Sequence, residues 1–389
     1  MAEPGPGGAG VTLRRYGWLA LAAVLIVAGL VIFVSAGSDD PDRDAVAAAA
    51  PRPFFGVVPQ GPLEAQDYAR MGEGRVGTLR VLLTWLATDP SSDPDDYGWD
   101  GFDPIVAEAA RHRIAILPFL YGTPAWAATE LDGYECEGGE CATFAPTSEE
   151  ALAAWGEWVG AVVGRYGPGG EFWTENPELR EEPIRTWQIW NEMNSPSFYT
   201  PTPDPASYAR VLAAAEEAIH KRDPEANVVL GGMFGTPLKG ELPAYTAWDF
   251  LDRLYEIEGA AETFDGIGAH PYAAKLSRAE SQVELMRDSV ERAGDDAGMW
   301  ITEIGWASGG EENPLNRGPE GQAQQLTDAY EFFLERREDW NIETVTWYSW
   351  RDYEAEGLCV WCPDSGLFEE DELDPKPAWE AFTELTGGS

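Results

Sequence analysis

Residues 184–194 read Ile-Arg-Thr-Trp-Gln-Ile-Trp-Asn-Glu-Met-Asn, and residues 299–306 read Met-Trp-Ile-Thr-Glu-Ile-Gly-Trp. Both begin as runs of β-branched and aromatic residues, the composition of a buried strand. Each then delivers a lone glutamate, Glu192 in the first and Glu303 in the second. A carboxylate set in an apolar run is costly to bury, so two of them at corresponding places call for a chemical reason.

Outward from these two runs, the same alternation fills the chain from residue 54 onward. Strands are predicted at 54–58, 76–85, 114–120, 184–190, 228–232, 264–269, 300–304 and 342–350. Helices are predicted at 62–71, 102–113, 148–166, 245–257, 279–293 and 376–385, with Ser148 as an N-cap ahead of Glu149 and Glu150. Two further helices show in the apolar faces Tyr208, Val211, Leu212, Ala215, Ile219 and Ala323, Leu326, Tyr330, Phe333. Eight strands, each followed by a helix, are the pattern of an α/β protein built as a (β/α)8 TIM barrel. A doubly wound open sheet is the rival, and it lacks its Gly-x-Gly-x-x-Gly after the first strand.

The N-terminus is a separate object. Arg14 and Arg15 precede an uncharged apolar run at 16–34, about the 20 residues a helix needs to cross a bilayer. The arginines predict a cytoplasmic tail at 1–15, a transmembrane signal anchor at 16–34, a disordered linker at 35–53 and a domain at 54–389 outside the cytoplasm. The alternative is secretion after signal cleavage, because Val34-Ser35-Ala36 resembles a small-residue cleavage site. In that compartment Cys136 with Cys141, and Cys359 with Cys362, read as local disulfides, although four cysteines permit three pairings. A four-thiolate zinc site is the competing reading, weakened by the distance between the two pairs. The chain has 68 acidic and 26 basic residues, a net charge of −42. That charge repels phosphate backbones, so no nucleic-acid partner is expected.

In such a barrel the strands' C-terminal ends carry the chemistry. They supply Arg80 and Trp85 from the second strand and Tyr121 and Trp126 from beyond the third. The fourth gives Asn191, Glu192 and Asn194, and the sixth His270 and Tyr272. The seventh gives Glu303 and Trp306, and the eighth Trp350. Of the 3 histidines, His112 beside Arg111 and His220 beside Lys221 read as helix surface. The ligands of a hydrolytic metal site are therefore missing, and neither metal nor cofactor is expected. What remains is a carboxylate pair among amides, one arginine and many aromatics, a set suited to breaking glycosidic bonds.

Trp190-Asn191-Glu192 with Asn194, His270-Pro271-Tyr272 and Thr302-Glu303-Ile304-Gly305-Trp306 resemble the retaining glycoside hydrolases of clan A. Gly122-Thr123-Pro124-Ala125-Trp126-Ala127, and Tyr97-Gly98-Trp99-Asp100 ahead of Phe102-Asp103, look most like families 5 and 39 of that clan. The resemblance covers nearly all of 54–385. It implies Glu192 as general acid/base and Glu303 as nucleophile, with Arg80 keeping the nucleophile ionised and Tyr272 hydrogen-bonded to it. It implies Asn191 on the sugar 2-hydroxyl and Trp350 as the floor of the subsite holding the cleaved sugar, while His270 reads equally as a substrate contact or as a satisfied structural histidine. Trp85, Trp126, Trp306 and Trp361 are further candidates for stacking platforms. The sequence departs from relatives at Tyr121, where no histidine follows, and at Met193, where a proline is common.

The expected protein is thus a membrane-anchored, extracytoplasmic retaining hydrolase, monomeric, acting on a β-linked polysaccharide or oligosaccharide. Two alternatives stand beside it. One is transglycosylation on the same residues. The other is a catalytically silent carbohydrate-binding barrel, against which the presence of both glutamates argues.

Overall fold

The computed structural model describes residues 51–89, 91, 97–128, 141–236, 244–354, 359–370 and 373–389. The expected tail and anchor, nearly all of the linker, and Cys136 lie outside these. Among the described residues no helix is long and apolar enough to cross a membrane.

Eight parallel strands close into a barrel in sequence order. They are β1 (Phe55–Val58), β2 (Thr78–Thr84), β3 (Ala115–Tyr121), β4 (Thr186–Asn191), β5 (Asn227–Phe234), β6 (Gly266–His270), β7 (Gly298–Ile304) and β8 (Ile342–Tyr348). β8 pairs back onto β1 with Gly56 opposite Thr346, so the sheet has no free edge. A principal helix follows each strand: α1 (Ala65–Glu73), α2 (Asp103–His112), α3 (Glu149–Tyr166), α4 (Pro205–Arg222), α5 (Ala247–Tyr255), α6 (Leu276–Ala293), α7 (Gly318–Glu335) and α8 (Pro377–Thr386). Side-chain caps mark the starts of α3 and α4. Ser148 Oγ accepts from Ala151 N at 3.0 Å, and the Asp204 carboxylate accepts from the backbone of Ala206 and Ser207.

The helices' apolar faces cover the strands' outer faces, and buried tyrosines tie the two layers. Tyr208 of α4 donates to Ile189 O at 2.8 Å, and Tyr330 of α7 donates to Gly56 O and Val345 O. Inside the barrel, Trp300 packs with Leu117 and Val229. β6 makes room for it, since a Cβ on Gly266 would lie 2.0 Å from the Trp300 ring. Higher up, Gln188 donates to Leu230 O and to Thr302 Oγ1, and a Cβ on Gly268 would lie 2.5 Å from its amide nitrogen. Side chains therefore fill the barrel to mid-height, and the cleft opens at one end only.

Strand boundaries shift by one or two residues from the sequence reading, and two of the shifts move candidate site residues. β2 ends at Thr84, and Trp85 begins a short helical turn, Trp85–Thr88, where it is buried and donates to Asp89 Oδ2. β8 ends at Tyr348, two residues before Trp350, which matters for the site.

Candidate active site

β4 delivers its functional side chains by breaking the alternation of a strand. Gln188 points into the barrel, so strict alternation would send Trp190 in and Asn191 out. Instead Trp190 has φ +74° and Glu192 φ +42°. Trp190 turns outward onto Trp155 of α3 and onto Tyr199, with ring centroids 6.1 and 5.6 Å away. Asn191 turns inward and meets Arg80. Positive φ at non-glycine residues costs about 1–3 kcal/mol each and persists where the surroundings impose it; here two such residues bracket Asn191. β7 has a similar device. Its register against β8 shifts between Ile301 and Ile304, and the consecutive residues Thr302 and Glu303 both bond to interior groups, Gln188 and Arg80.

Arg80 is fully buried and is the hub. Its Nε donates to Gln188 Oε1 at 2.7 Å, Nη1 to Glu303 Oε1 at 2.5 Å and Nη2 to Asn191 Oδ1 at 2.8 Å. Its guanidinium lies over the Phe119 ring at 4.2 Å. Tyr272 donates to the other oxygen of Glu303 at 2.7 Å. Glu303 thus faces donors at both oxygens, which suits an ionised carboxylate, an acceptor only.

Glu192 has a different neighbour. His270 Nδ1 lies 2.8 Å from Glu192 Oε1 and 3.5 Å from Glu303 Oε2. Burial, then the Glu303 charge, push the Glu192 carboxyl well above the usual carboxylate range, and Arg80 opposes the shift. Burial and Arg80 hold His270 well below the usual histidine range, so its ring is neutral. Its Nε2 agrees: that nitrogen is buried without a partner, against Gly232, where a Cβ would lie 1.9 Å away. A charged imidazolium would need a second acceptor there. Burial and Glu303 likewise push the Tyr272 hydroxyl well above its ordinary value, keeping it a donor.

One ligand atom each of Glu192, His270 and Glu303 lie within 4.8 Å of one another. Three such groups have the spacing of a metal site, but the Arg80 guanidinium already sits on Glu303, and a fixed cation opposes a second one. The same distance places the two carboxylates close enough to act on one bond.

The structure brings together Arg80, Asn191, Glu192, His270, Tyr272 and Glu303. It does not bring in three of the tryptophans. Trp350 is fully buried behind the barrel mouth: its Nε1 donates to Asp67 Oδ1 at 2.8 Å, and its ring packs on Phe368 and Trp379. It is therefore core and not the floor of a subsite, because β8 ends two residues earlier. Tyr348 stands at that strand end instead, its ring 6.1 Å from that of Tyr272 and its hydroxyl 2.7 Å from that of Tyr353. Trp306 is also fully buried, donating to Ala273 O and lying against Trp347. Trp85 is core as well. Trp126 stays exposed on the loop after β3, its Nε1 donating to Asp89 O. Asn194 braces backbone, donating to Phe234 O and Tyr245 O. Gln188 and Tyr348 were not singled out from sequence. A lone glutamine in the apolar run of β4 was the available signal for the first.

Cys359 and Cys362 form a disulfide. Cys141 is buried, and Cys136 lies outside the described residues.

No protein-family model matches the sequence, and no curated protein does. Solved structures do match in fold. A family 39 glycoside hydrolase from the gut symbiont Bacteroides cellulosilyticus WH2 is 18% identical with a TM-score of 0.61, covering 89% of this chain; this chain spans 64% of that one. A GH5_18 from Bifidobacterium longum subsp. infantis is 16% identical with a TM-score of 0.56, over 83% of this chain and 72% of that one. Xylanase XynB from Paenibacillus barcinonensis is 17% identical with a TM-score of 0.57, over 89% of this chain and 99% of that one. The fold is thus the (β/α)8 barrel that these glycoside hydrolases share.

Proposed function

We propose that this protein is a retaining glycoside hydrolase acting on β-linked sugars by double displacement. One observation carries the reading: two glutamates at the same barrel mouth, with oxygens within 4.8 Å and opposite surroundings. Retaining pairs stand about 5–5.5 Å apart, and inverting pairs about 6.5–9.5 Å, to leave room for water.

In the first step Glu303 attacks the anomeric carbon while Glu192 gives its proton to the departing glycosidic oxygen. A covalent glycosyl ester on Glu303 forms and the aglycone leaves as an alcohol. In the second, the Glu192 carboxylate takes a proton from water as that water attacks the same carbon, freeing Glu303 and releasing the sugar with its original anomeric configuration. Arg80 and Tyr272 fix both oxygens of Glu303 for the attack, leaving one lone pair of each for rotation onto the sugar. Asn191 Oδ1 is taken by Arg80, which aims its NH2 group outward as a donor for the 2-hydroxyl. The neutral His270 holds Glu192 without supplying a charge that would drain its proton.

The test is proton NMR of hydrolysis by the full-length chain on a panel of 4-nitrophenyl β-glycosides and β-linked oligosaccharides. The β anomer as first product supports the reading; the α anomer, or cleavage that survives Glu303→Gln, refutes it.

The same proposal holds the barrel at the outer face of a membrane through residues 16–34. Support comes from Arg14 and Arg15 before the apolar run and from the Cys359–Cys362 disulfide, a bond that persists in oxidising compartments. Release of the protein into the medium, truncated near residue 36, would overturn the anchor.

A further inference from the structure

Tyr272 and Tyr348 stand on the Glu303 side of the cleft, and a third ring completes their cluster. Trp361 meets the Tyr272 ring edge-on, with centroids 4.8 Å apart and planes at 61°, and leans on Tyr348 at 5.8 Å. This indole does not come from a barrel strand. It sits in the four-residue ring Cys359-Val360-Trp361-Cys362, closed by the disulfide.

The turn after that ring is pinned to the barrel. Asp364 O accepts from Ser308 N and Oγ, Ser365 O accepts from Trp347 Nε1 at 3.0 Å, and Pro363 O accepts from Tyr353 N. The disulfide ties Cys359 to this fixed turn and removes the freedom a loop residue would otherwise keep. The ring does little for the core: Val360 is 49% exposed and Trp361 is only half-buried. A loop built to add apolar core would hide both.

We propose that Trp361 is a sugar-stacking residue beside the nucleophile, and that the Cys359–Cys362 disulfide is the positioning device that holds it there. The proposal rests on the glycosidase reading and sharpens its substrate class. An aromatic face offers dispersion and apolar contact to the C–H face of a pyranose. A chain of net charge −42 repels an acidic sugar. The ring that fits is therefore an uncharged pyranose with equatorial hydroxyls, leaving its face unbroken, and not a uronic acid.

The experiment uses the full-length chain and the best-cleaved oligosaccharide of the panel. Steady-state kinetics are measured for wild type, Trp361→Ala, Trp361→Phe and the double variant Cys359→Ser/Cys362→Ser. Calorimetric binding of the same oligosaccharide is measured on Glu303→Gln with and without Trp361→Ala. KM and Kd are expected to rise about tenfold in Trp361→Ala, the effect of about 1.4 kcal/mol of lost contact. Trp361→Phe should recover most of that, and the serine double variant should move KM the same way, with kcat and the acid limb of the pH profile unchanged. Cleavage with KM unchanged in Trp361→Ala overturns this proposal alone. So does a shifted acid limb at constant KM, which would make Trp361 a prop for Tyr272. A wild type that neither cleaves nor binds any panel member overturns the glycosidase reading and this proposal with it.

Discussion

Replacing Arg80 with methionine keeps a flexible apolar stem and removes the charge that Glu303 answers. In the native protein Arg80 is fully buried, and Glu303 has a side-chain exposure of 12%, so little water can take over. Breaking a buried ion pair by removing one partner costs about 3–5 kcal/mol, because the other charge stays behind unpaired. Gln188 Oε1 and Asn191 Oδ1 also lose their donor. An unfolding entropy of about 2.1 cal/mol/K per residue gives a barrel of roughly 335 residues about 0.7 kcal/mol/K, so the ion-pair loss alone lowers Tm by roughly 4–7 °C. Adding Glu303→Gln removes the stranded charge and should recover most of the loss, leaving only the cost of the orphaned amides. Differential scanning fluorimetry of wild type, both single variants and the double variant makes the comparison. A Tm drop untouched by Glu303→Gln would mean that Arg80 matters by packing on Phe119 and not by charge.

Three further substitutions carry expected outcomes. Glu192→Gln removes a buried carboxyl whose ionisation the fold resists; the variant should be more stable than wild type above about pH 4.3, with the gap opening as pH rises and closing below it. The same variant should lose about 10²–10⁴ in kcat on glycosides that need protonation of the leaving oxygen, and far less on a dinitrophenyl glycoside. In the wild type, kcat/KM should fall as pH rises through the raised Glu192 value, an alkaline limb absent from Glu192→Gln with the dinitrophenyl substrate. Tyr272→Phe deletes one bond to a charged acceptor, about 1.5–3 kcal/mol, and should lower kcat/KM about 10–100-fold, read in initial rates with circular dichroism unchanged. Trp350→Ala should cost about 3–5 kcal/mol of stability by leaving a cavity beside Phe368 and Trp379, with KM unaltered; a KM change without a stability loss would return Trp350 to the subsite.

The barrel was legible because its strands are apolar runs set between amphipathic helices, a pattern that survives boundary errors of a few residues. Glu192 and Glu303 were legible because each interrupts such a run. Arg80 and Tyr272 fell at strand ends in the sequence, but their roles at the nucleophile came only from the motif resemblance, and the structure joins both to Glu303 by direct bonds. The error at Trp350 has a clear cause. Residues 346–350 read Thr-Trp-Tyr-Ser-Trp, with an aromatic on either side of Ser349, so composition marks no strand end. The end is set by tertiary bonds, Trp350 N to Val58 O and its indole to Asp67, a partner nearly three hundred residues away. The inward turn of Asn191 was equally hidden, because nothing in Trp190 announces a left-handed backbone.

The glycine-lined plug at mid-barrel gives the site a traffic rule. Trp300 and Gln188 close the lower half, so under the proposed double displacement whatever reaches a Glu303 ester would enter through the opening by which the aglycone departs. Water and a second sugar would then queue at one door. The fate of the ester would depend on which arrives first: a slowly leaving aglycone would shield it from water and hold an acceptor hydroxyl ready, while a quick exit would flood it. Chain-length effects on product distribution would follow from the plumbing of the barrel, with the two glutamates indifferent to the outcome.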